Sequence, residues 1–198
     1  MNTKTITLIV IAALVLLLGG CGCNSYNSMN GLKQQANEAW SNVENQYKRR
    51  SDLIGNLVNT VKGAANFEKE TLTQVIEARA SASKITVDPN NLTPEKLKEF
   101  QASQGQLSQA LGRLMFVSEK YPELKATEAF KGLQEELSNT ENKIATERSR
   151  YNEVVKNYNT KISNVPNVFY AGMLGFKERG FFEATTAEKE VPKVDFSK

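Results

Sequence analysis

The chain has 198 residues, of which 40% are hydrophobic and 24% charged, enough to bury a core; its formal charge of +3 is spread among interspersed acids and bases. No broad phosphate-binding face follows, so no nucleic-acid partner is expected. Histidine is absent, which excludes serine-histidine and cysteine-histidine catalysis within one chain, zinc sites that need imidazole, and the Glu-x-x-His di-iron pattern of helical bundles. Most enzyme readings fall with it, and no cofactor is expected.

The first element is an apolar leader. Lys4 gives a positive start, Ile6 to Leu18 are apolar apart from Thr7, and Gly19 and Gly20 follow. These are the proportions of a secretory leader. A simple span is second choice, because crossing the bilayer takes about 20 apolar residues and the two glycines weaken a helix. Leu18-Gly19-Gly20-Cys21 resembles the lipobox of bacterial lipoproteins. That resemblance implies diacylglycerol on Cys21 and cleavage ahead of it; an uncleaved membrane helix is the alternative. Both put residues 24–198 outside the cytoplasm, in a bacterial cell envelope. Cys23 fits the pattern badly, since Gly20, Cys21 and Gly22 would fill its lipobox, and it reads as a spare exposed thiol. A disulfide or two-thiolate metal site with Cys21 is the competing reading.

A polar stretch, Asn24 to Ser28, leads into helical periodicity. Met29, Leu32, Ala36, Trp40, Val43, Tyr47, Ile54, Leu57 and Val61 fall mostly three or four apart and predict a first helix. A second is predicted after Asn66 as N-cap, burying Leu72, Val75, Ile76 and Ala82. Thr93-Pro94-Glu95 supplies an N-cap, an N1 proline and a first-turn acid for a third. Its near-heptad stripe of Leu97, Phe100, Leu107, Leu111, Leu114, Val117 and Tyr121 stops at Pro122. After "PELKA", Thr127 caps a fourth, with a stripe through Phe130, Leu133, Leu137, Ile144, Tyr151, Val154 or Val155, Tyr158 and Ile162. One-sided stripes on helices about 50–60 Å long demand partner helices, which an antiparallel bundle supplies.

The segments "AWSNVENQYKRRSDLIGNLVNTVKG", "FEKETLTQVIEARA", "YPELKATEAFKGLQEELSNTENKIATERSRYNEVVKNYNTKI" and "FYAGMLGFKERGFFEA" resemble, in order and spacing, the LemA family of bacterial envelope proteins. The resemblance reaches from about residue 39 to 184. It implies an N-terminal membrane anchor, a mostly four-helix bundle of long antiparallel helices, and no catalytic residues. Two positions depart from the family's pattern: Gly55 stands where proline is usual, which makes the expected kink softer, and Thr127 stands where asparagine is frequent, which keeps the capping chemistry.

The expected fold is therefore all-α, an elongated antiparallel four-helix bundle at 29–165. It follows a leader or anchor at 1–20 and a lipidated linker at 21–28. An aromatic-rich cap at 166–184 and a disordered tail at 185–198 complete it.

Candidate sites are few. Lys48 and Arg49 read as a solvated flank, while Arg50 sits where the stripe skips between Tyr47 and Ile54. With Glu141, Arg148 and Gln104 at or near stripe positions, it suggests a paired polar layer that sets helix register. Trp40 reads as core. Glu135, Glu136 and Glu141 make a poor metal set, because Glu135 and Glu136 point differently around a helix and no imidazole completes it; no metal is expected. The best candidate interaction surface is Phe169, Tyr170, Met173, Phe176, Phe181 and Phe182. Folding back over the bundle as a cap is favoured because exposed apolar clusters are uncommon. The alternative is docking to a partner or to the bilayer, helped by Lys177 and Arg179.

The function expected is that of a non-catalytic envelope lipoprotein, a helical scaffold or adaptor that touches membrane lipid through its anchor and an unidentified envelope protein through its body. The rival is an accessory or regulatory subunit of a membrane protease or cell-wall enzyme. Isolated bundles often self-associate, so a homo-oligomer is left open without a number.

Overall fold

The structure is a computed structural model that describes residues 3–63 and 67–183, all of them helix, turn or irregular, with no strand among them. The order is α1 (Thr3–Lys62), α2 (Lys69–Lys84), α3 (Pro94–Ser118), α4 (Pro122–Ala126) and α5 (Glu128–Ser163), with 3₁₀ turns at Pro89–Asn91 and Asn167–Phe169. The class is all-α, as expected.

The helix ends follow the capping chemistry. The Thr93 hydroxyl accepts from the Lys96 N–H at 3.4 Å, and Pro94 stands at N1. Glu95 in that first turn has its carboxyl pulled below the usual range by its own backbone N–H and by the Thr93 hydroxyl. Thr127 likewise accepts from the Phe130 N–H at 3.4 Å and opens α5. The second helix starts later than its pattern predicts. Asn66 lies outside the described residues, and Glu68 holds the N-cap position, its carboxylate accepting from the Thr71 hydroxyl at 3.1 Å.

Three further details depart from expectation. Residues 24–28, expected as a polar linker, are helical within α1. "PELKA" forms α4, whose Pro122 sits at N1; proline is tolerated there because that N–H has no helical partner anyway. Ile76 is 40% exposed, because neighbouring helical residues lie about 100° apart and α2 turns Thr71, Leu72, Val75 and Ala82 inward instead.

The chain divides into two compact units. The first comprises Met1–Arg50, Asp88–Asn91 and Thr140–Arg179. Its core is drawn from α1 and α5 and is rich in aromatics: Trp40, Tyr47, Tyr151 and Tyr158 are buried with Met29, Ala36, Val43, Ile144, Val155 and Ile162. Trp40 meets Tyr151 edge-on at 5.9 Å between ring centroids, a favoured aromatic geometry.

The second unit comprises Ser51–Val87, Leu92–Asn139 and the chain from Gly180 onward. Its core is mainly aliphatic, taking Leu53, Ile54, Leu57, Val58 and Val61 from α1, Leu72 and Val75 from α2, Leu107, Leu114 and Val117 from α3, Leu124 from α4, and Phe130 and Leu137 from α5. Phe67 stacks at 4.8 Å on Tyr121 beside it. Here residues of all five helices share one core. α1 passes through Gly55 without a break, and the Arg79 guanidinium of α2 lies over that glycine, its Nε donating to the Ser51 carbonyl at 2.7 Å.

Among the described residues no helix is long and apolar enough to cross a membrane. Most side chains of the apolar run Ile6–Leu18 lie outside the described ones, as do residues 184–198, where the disordered tail is expected.

Candidate interaction surface

Of the residues expected in a polar layer, the first unit pairs Arg50 with Glu141. Arg50 Nη1 donates to Glu141 Oε1 at 2.7 Å, with the arginine side chain 3% exposed and the glutamate 46%. The guanidinium also lies 5.0 Å from the Tyr47 ring centroid, a cation–π distance. Lys48 and Arg49 are exposed. Gln104 is buried in the second unit and Arg148 is half-buried in the first.

Beyond α5 the chain turns back. Asn167, 4% exposed, organises the turn: its Nδ2 donates to the Lys161 carbonyl at 2.7 Å, and its Oδ1 accepts from the Tyr170 hydroxyl at 2.7 Å and from the Ser25 hydroxyl of α1. Its carbonyl accepts from the N–H groups of Tyr170 and Ala171. Gly175, at φ +79°, then lets the Phe176 N–H return to the Ala171 carbonyl at 2.9 Å; a side chain at that φ is strained.

Phe176 drops into a core of Met29, Tyr158, Ile162 and Ala171 and meets Tyr26 edge-on at 5.5 Å. The next residues are fastened by polar groups. Tyr158 donates its hydroxyl to the Lys177 carbonyl at 2.9 Å. Asn159 bonds both backbone groups of Arg179, donating to its carbonyl at 2.9 Å and accepting from its N–H at 3.0 Å. The Arg179 side chain, itself buried, donates to Asn37 Oδ1 at 2.6 Å and lies 5.3 Å from the Tyr158 ring centroid. Burial sets the titration behaviour of this cluster. It pushes the phenols of Tyr151 and Tyr158 up and the Arg179 guanidinium down, with the cation and phenols partly offsetting each other.

In the second unit, Gly180 donates to the Leu92 carbonyl at 3.0 Å. A Cβ there would lie 2.8 Å from Pro94 Cα, so this close approach of two backbones admits only glycine without a shift. Gln101 holds the Glu183 carbonyl at 3.1 Å.

The candidate aromatics therefore separate. Phe176 and Phe182 are buried, Tyr170 is half-buried, Phe181 is 42% exposed, and Phe169 and Met173 stand 73% and 82% exposed. Val165, Val168 and Leu174 are exposed beside the last two. Sequence reasoning did not find Asn37, Asn159 or Asn167, whose amides bind backbone and side chains far along the chain; a polar Asn159 beside stripe residue Tyr158 was the available signal. The Cys21 backbone lies within α1, its side chain outside the described ones. Cys23 is an exposed free thiol.

Residues 39–196 match the model of the LemA family. Magnetosome protein MamQ 2 of Paramagnetospirillum magneticum is 27% identical over 179 residues, covering 82% of this chain and 66% of that protein. Protein LemA of Metamycoplasma hominis is 29% identical over 163 residues, covering 81% and 71%. Magnetosome protein MamQ of Magnetospirillum gryphiswaldense is 26% identical over 179 residues, with 82% and 66% covered. The chain thus spans slightly less than two thirds of the length of the magnetosome relatives it matches. With the family model covering most of its length, the chain belongs to the LemA family.

Proposed function

We propose that the protein is a bacterial envelope lipoprotein that acts by binding and not by turnover, a membrane-anchored helical bundle serving as scaffold or adaptor. The observation that carries this reading is the continuity of α1 from Cys21, where a cleaved lipoprotein would begin, to Lys62; an uncleaved chain keeps the same helix back to Thr3. The segment bearing the apolar run and Cys21 is the same helix that supplies Met29, Ala36, Trp40 and Val43 to a packed core. A lipid or helix anchor at one end then holds the body at a set distance from the bilayer. Two or more acyl chains would make that attachment stable, at ~0.8 kcal/mol per buried methylene. The recurrence of this region in proteins named for the magnetosome supports a module used inside larger assemblies.

Labelled palmitate tests the anchor. Uptake by the wild type and none by Cys21→Ser supports lipidation; uptake by the variant, or none by the wild type, overturns it. Photocrosslinking from Lys177 in cells tests the adaptor. Repeated capture of one protease or cell-wall enzyme would favour the rival, a regulatory subunit.

A further inference from the structure

We propose that the turn at residues 165–174 is a second membrane contact, dipping into the interface of the same bilayer that holds the N-terminus. The proposal rests on the anchored reading above.

Four observations carry it. First, Val165, Val168, Phe169, Met173 and Leu174 are exposed together on one turn, with Phe169 at 73% and Met173 at 82%. Apolar clusters of this kind on otherwise polar proteins mark a surface that meets something apolar. Second, the turn is fixed in place: Asn167 bonds Ser25 on one side and Lys161 on the other, and Phe176 packs on Tyr26. The exposed side chains project from a braced scaffold.

Third, the brace determines what lies nearby. Ser25 follows the apolar run by seven residues, about 10 Å along a helix, and follows Cys21 by four, about 6 Å. An acyl chain on Cys21 and a retained apolar helix put the bilayer at the same end of the unit, so lipid is present at this turn at a high effective concentration. A second copy of the chain must reach the turn by diffusion.

Fourth, the turn itself and the stretch of α1 it packs on carry no formal charge. No Asp, Glu, Lys or Arg occurs from Thr5 to Leu32 or from Ser163 to Phe176. Elsewhere charged residues make the surface expected of a solvated helix. The exposed polar groups here are Asn24, Asn27 and Ser28 on α1 and Ser163 and Asn164 at the turn, with Tyr26 43% exposed. Neutral hydrogen-bonding groups with tyrosine suit the headgroup level, where aromatic side chains concentrate, and phenylalanine, methionine and leucine suit the acyl boundary below it. Lys177 and Glu178, the first charges after the turn, are exposed.

The test uses the full chain in vesicles of phosphatidylethanolamine and phosphatidylglycerol, with Phe169→Trp and, separately, Met173→Trp. Both sites are exposed, so either variant folds, and the buried Trp40 of the parent chain gives the baseline emission. The new tryptophan is expected to emit to the blue and to lose emission when the phospholipids are exchanged for analogues brominated near the headgroup end of the acyl chain. A tryptophan that floats with the vesicles yet is quenched by aqueous iodide and not by bromolipid overturns the second contact while leaving the anchor standing. One shielded from both quenchers is covered by protein, a second copy included, and also overturns it. A chain that does not float with the vesicles overturns both readings.

Discussion

The two units solve the same packing problem with different materials. The second fills its core with leucine, isoleucine and valine from α1, α2, α3 and α5, side chains with no polar atom to satisfy. The first uses α1 and α5 and takes its volume from Trp40, Tyr47, Tyr151 and Tyr158, and it buries Arg50, Asn159, Asn167 and Arg179 among them. Where several helices enclose a core, aliphatic stripes suffice. Where two supply most of it, large rings bring more buried area per residue, and their hydroxyls and neighbouring cations must then find partners. The tail residues 176–179 provide some of those partners, which makes the first unit dependent on a segment that is not helical.

Alkali should break that symmetry most. The phenols of Tyr151 and Tyr158 are pushed up by burial, so their neutral forms stabilise the fold fully below the ordinary tyrosine value of about 10. This stability falls as pH rises past it, because the unfolded chain then releases protons that the folded chain retains. The downward shift of Arg179 acts in the opposite sense, since the folded guanidinium gives up its proton before the unfolded one, but it is one group set against two phenols. Hydrogen exchange followed by peptide should show amides of residues 29–50 and 140–163 losing protection as pH is raised from about 9 to 11, once intrinsic exchange rates are corrected for. The buried core residues described for the second unit include no tyrosine, and its peptides should hold longer.

Truncating one large side chain in each core comes next. Trp40→Ala removes a ring 1% exposed and packed on Tyr151, with an expected cost of about 3–5 kcal/mol. Leu114→Ala, at a position 0% exposed, should cost about 2–5 kcal/mol. Urea titrations with helical circular dichroism measure both. Equal costs would mean that the aromatic core is no more demanding of fit than the aliphatic one.

Asn159→Ala should cost at least about 2 kcal/mol, because it strips the partners from two backbone groups of a buried residue and each such loss runs to about 1–3 kcal/mol. The loss should localise, with the Arg179 amide exchanging faster in the variant while amides of α2 and α3 are unchanged.

Glu141→Gln separates the register idea from simple surface pairing. Arg50 is nearly buried, yet Glu141 is 46% exposed, so water screens the pair and the buried-ion scale does not apply in full. The expected loss is about 1 kcal/mol in a urea titration. A variant with the stability and the oligomeric state of the parent would remove the pair from any account of helix register.

Much of this was legible because it is periodic or local. The stripes of α1, α3 and α5, the Thr93-Pro94-Glu95 start and the Thr127 cap each follow from residues within one or two turns of each other. Arg50 was legible too, as the charged residue that interrupts a stripe. The fate of the tail was not. Phe176 and Phe169 have the same side chain seven residues apart, and one is buried while the other is exposed. What separates them is the Asn167 turn and the positive φ of Gly175, tertiary features that leave no spacing to read. The Asn159 bonds to Arg179 span 20 residues and have no periodic signature either.

The smallest expected effect falls in the second unit, at Gly55. Replacing it with alanine adds about 1 kcal/mol of intrinsic helix preference to α1. The added Cβ, however, would stand 3.2 Å from the Arg79 Cζ and Nη2, closer than carbon and nitrogen comfortably approach. Arg79 can yield, because it is the end of a flexible side chain and 39% exposed, but yielding lengthens its 2.7 Å bond to the Ser51 carbonyl. That carbonyl keeps a partner within the helix, so what is lost is one net hydrogen bond, about 0.5–1.5 kcal/mol. Gain and loss nearly cancel, and Gly55→Ala should change stability by no more than about 0.5 kcal/mol. Adding Arg79→Ala to Gly55→Ala exposes the opposition: with the guanidinium gone, the alanine should stabilise by the full helix increment of about 1 kcal/mol relative to Arg79→Ala alone. A Gly55→Ala effect that is the same with and without Arg79 would show that the added Cβ does not displace the arginine.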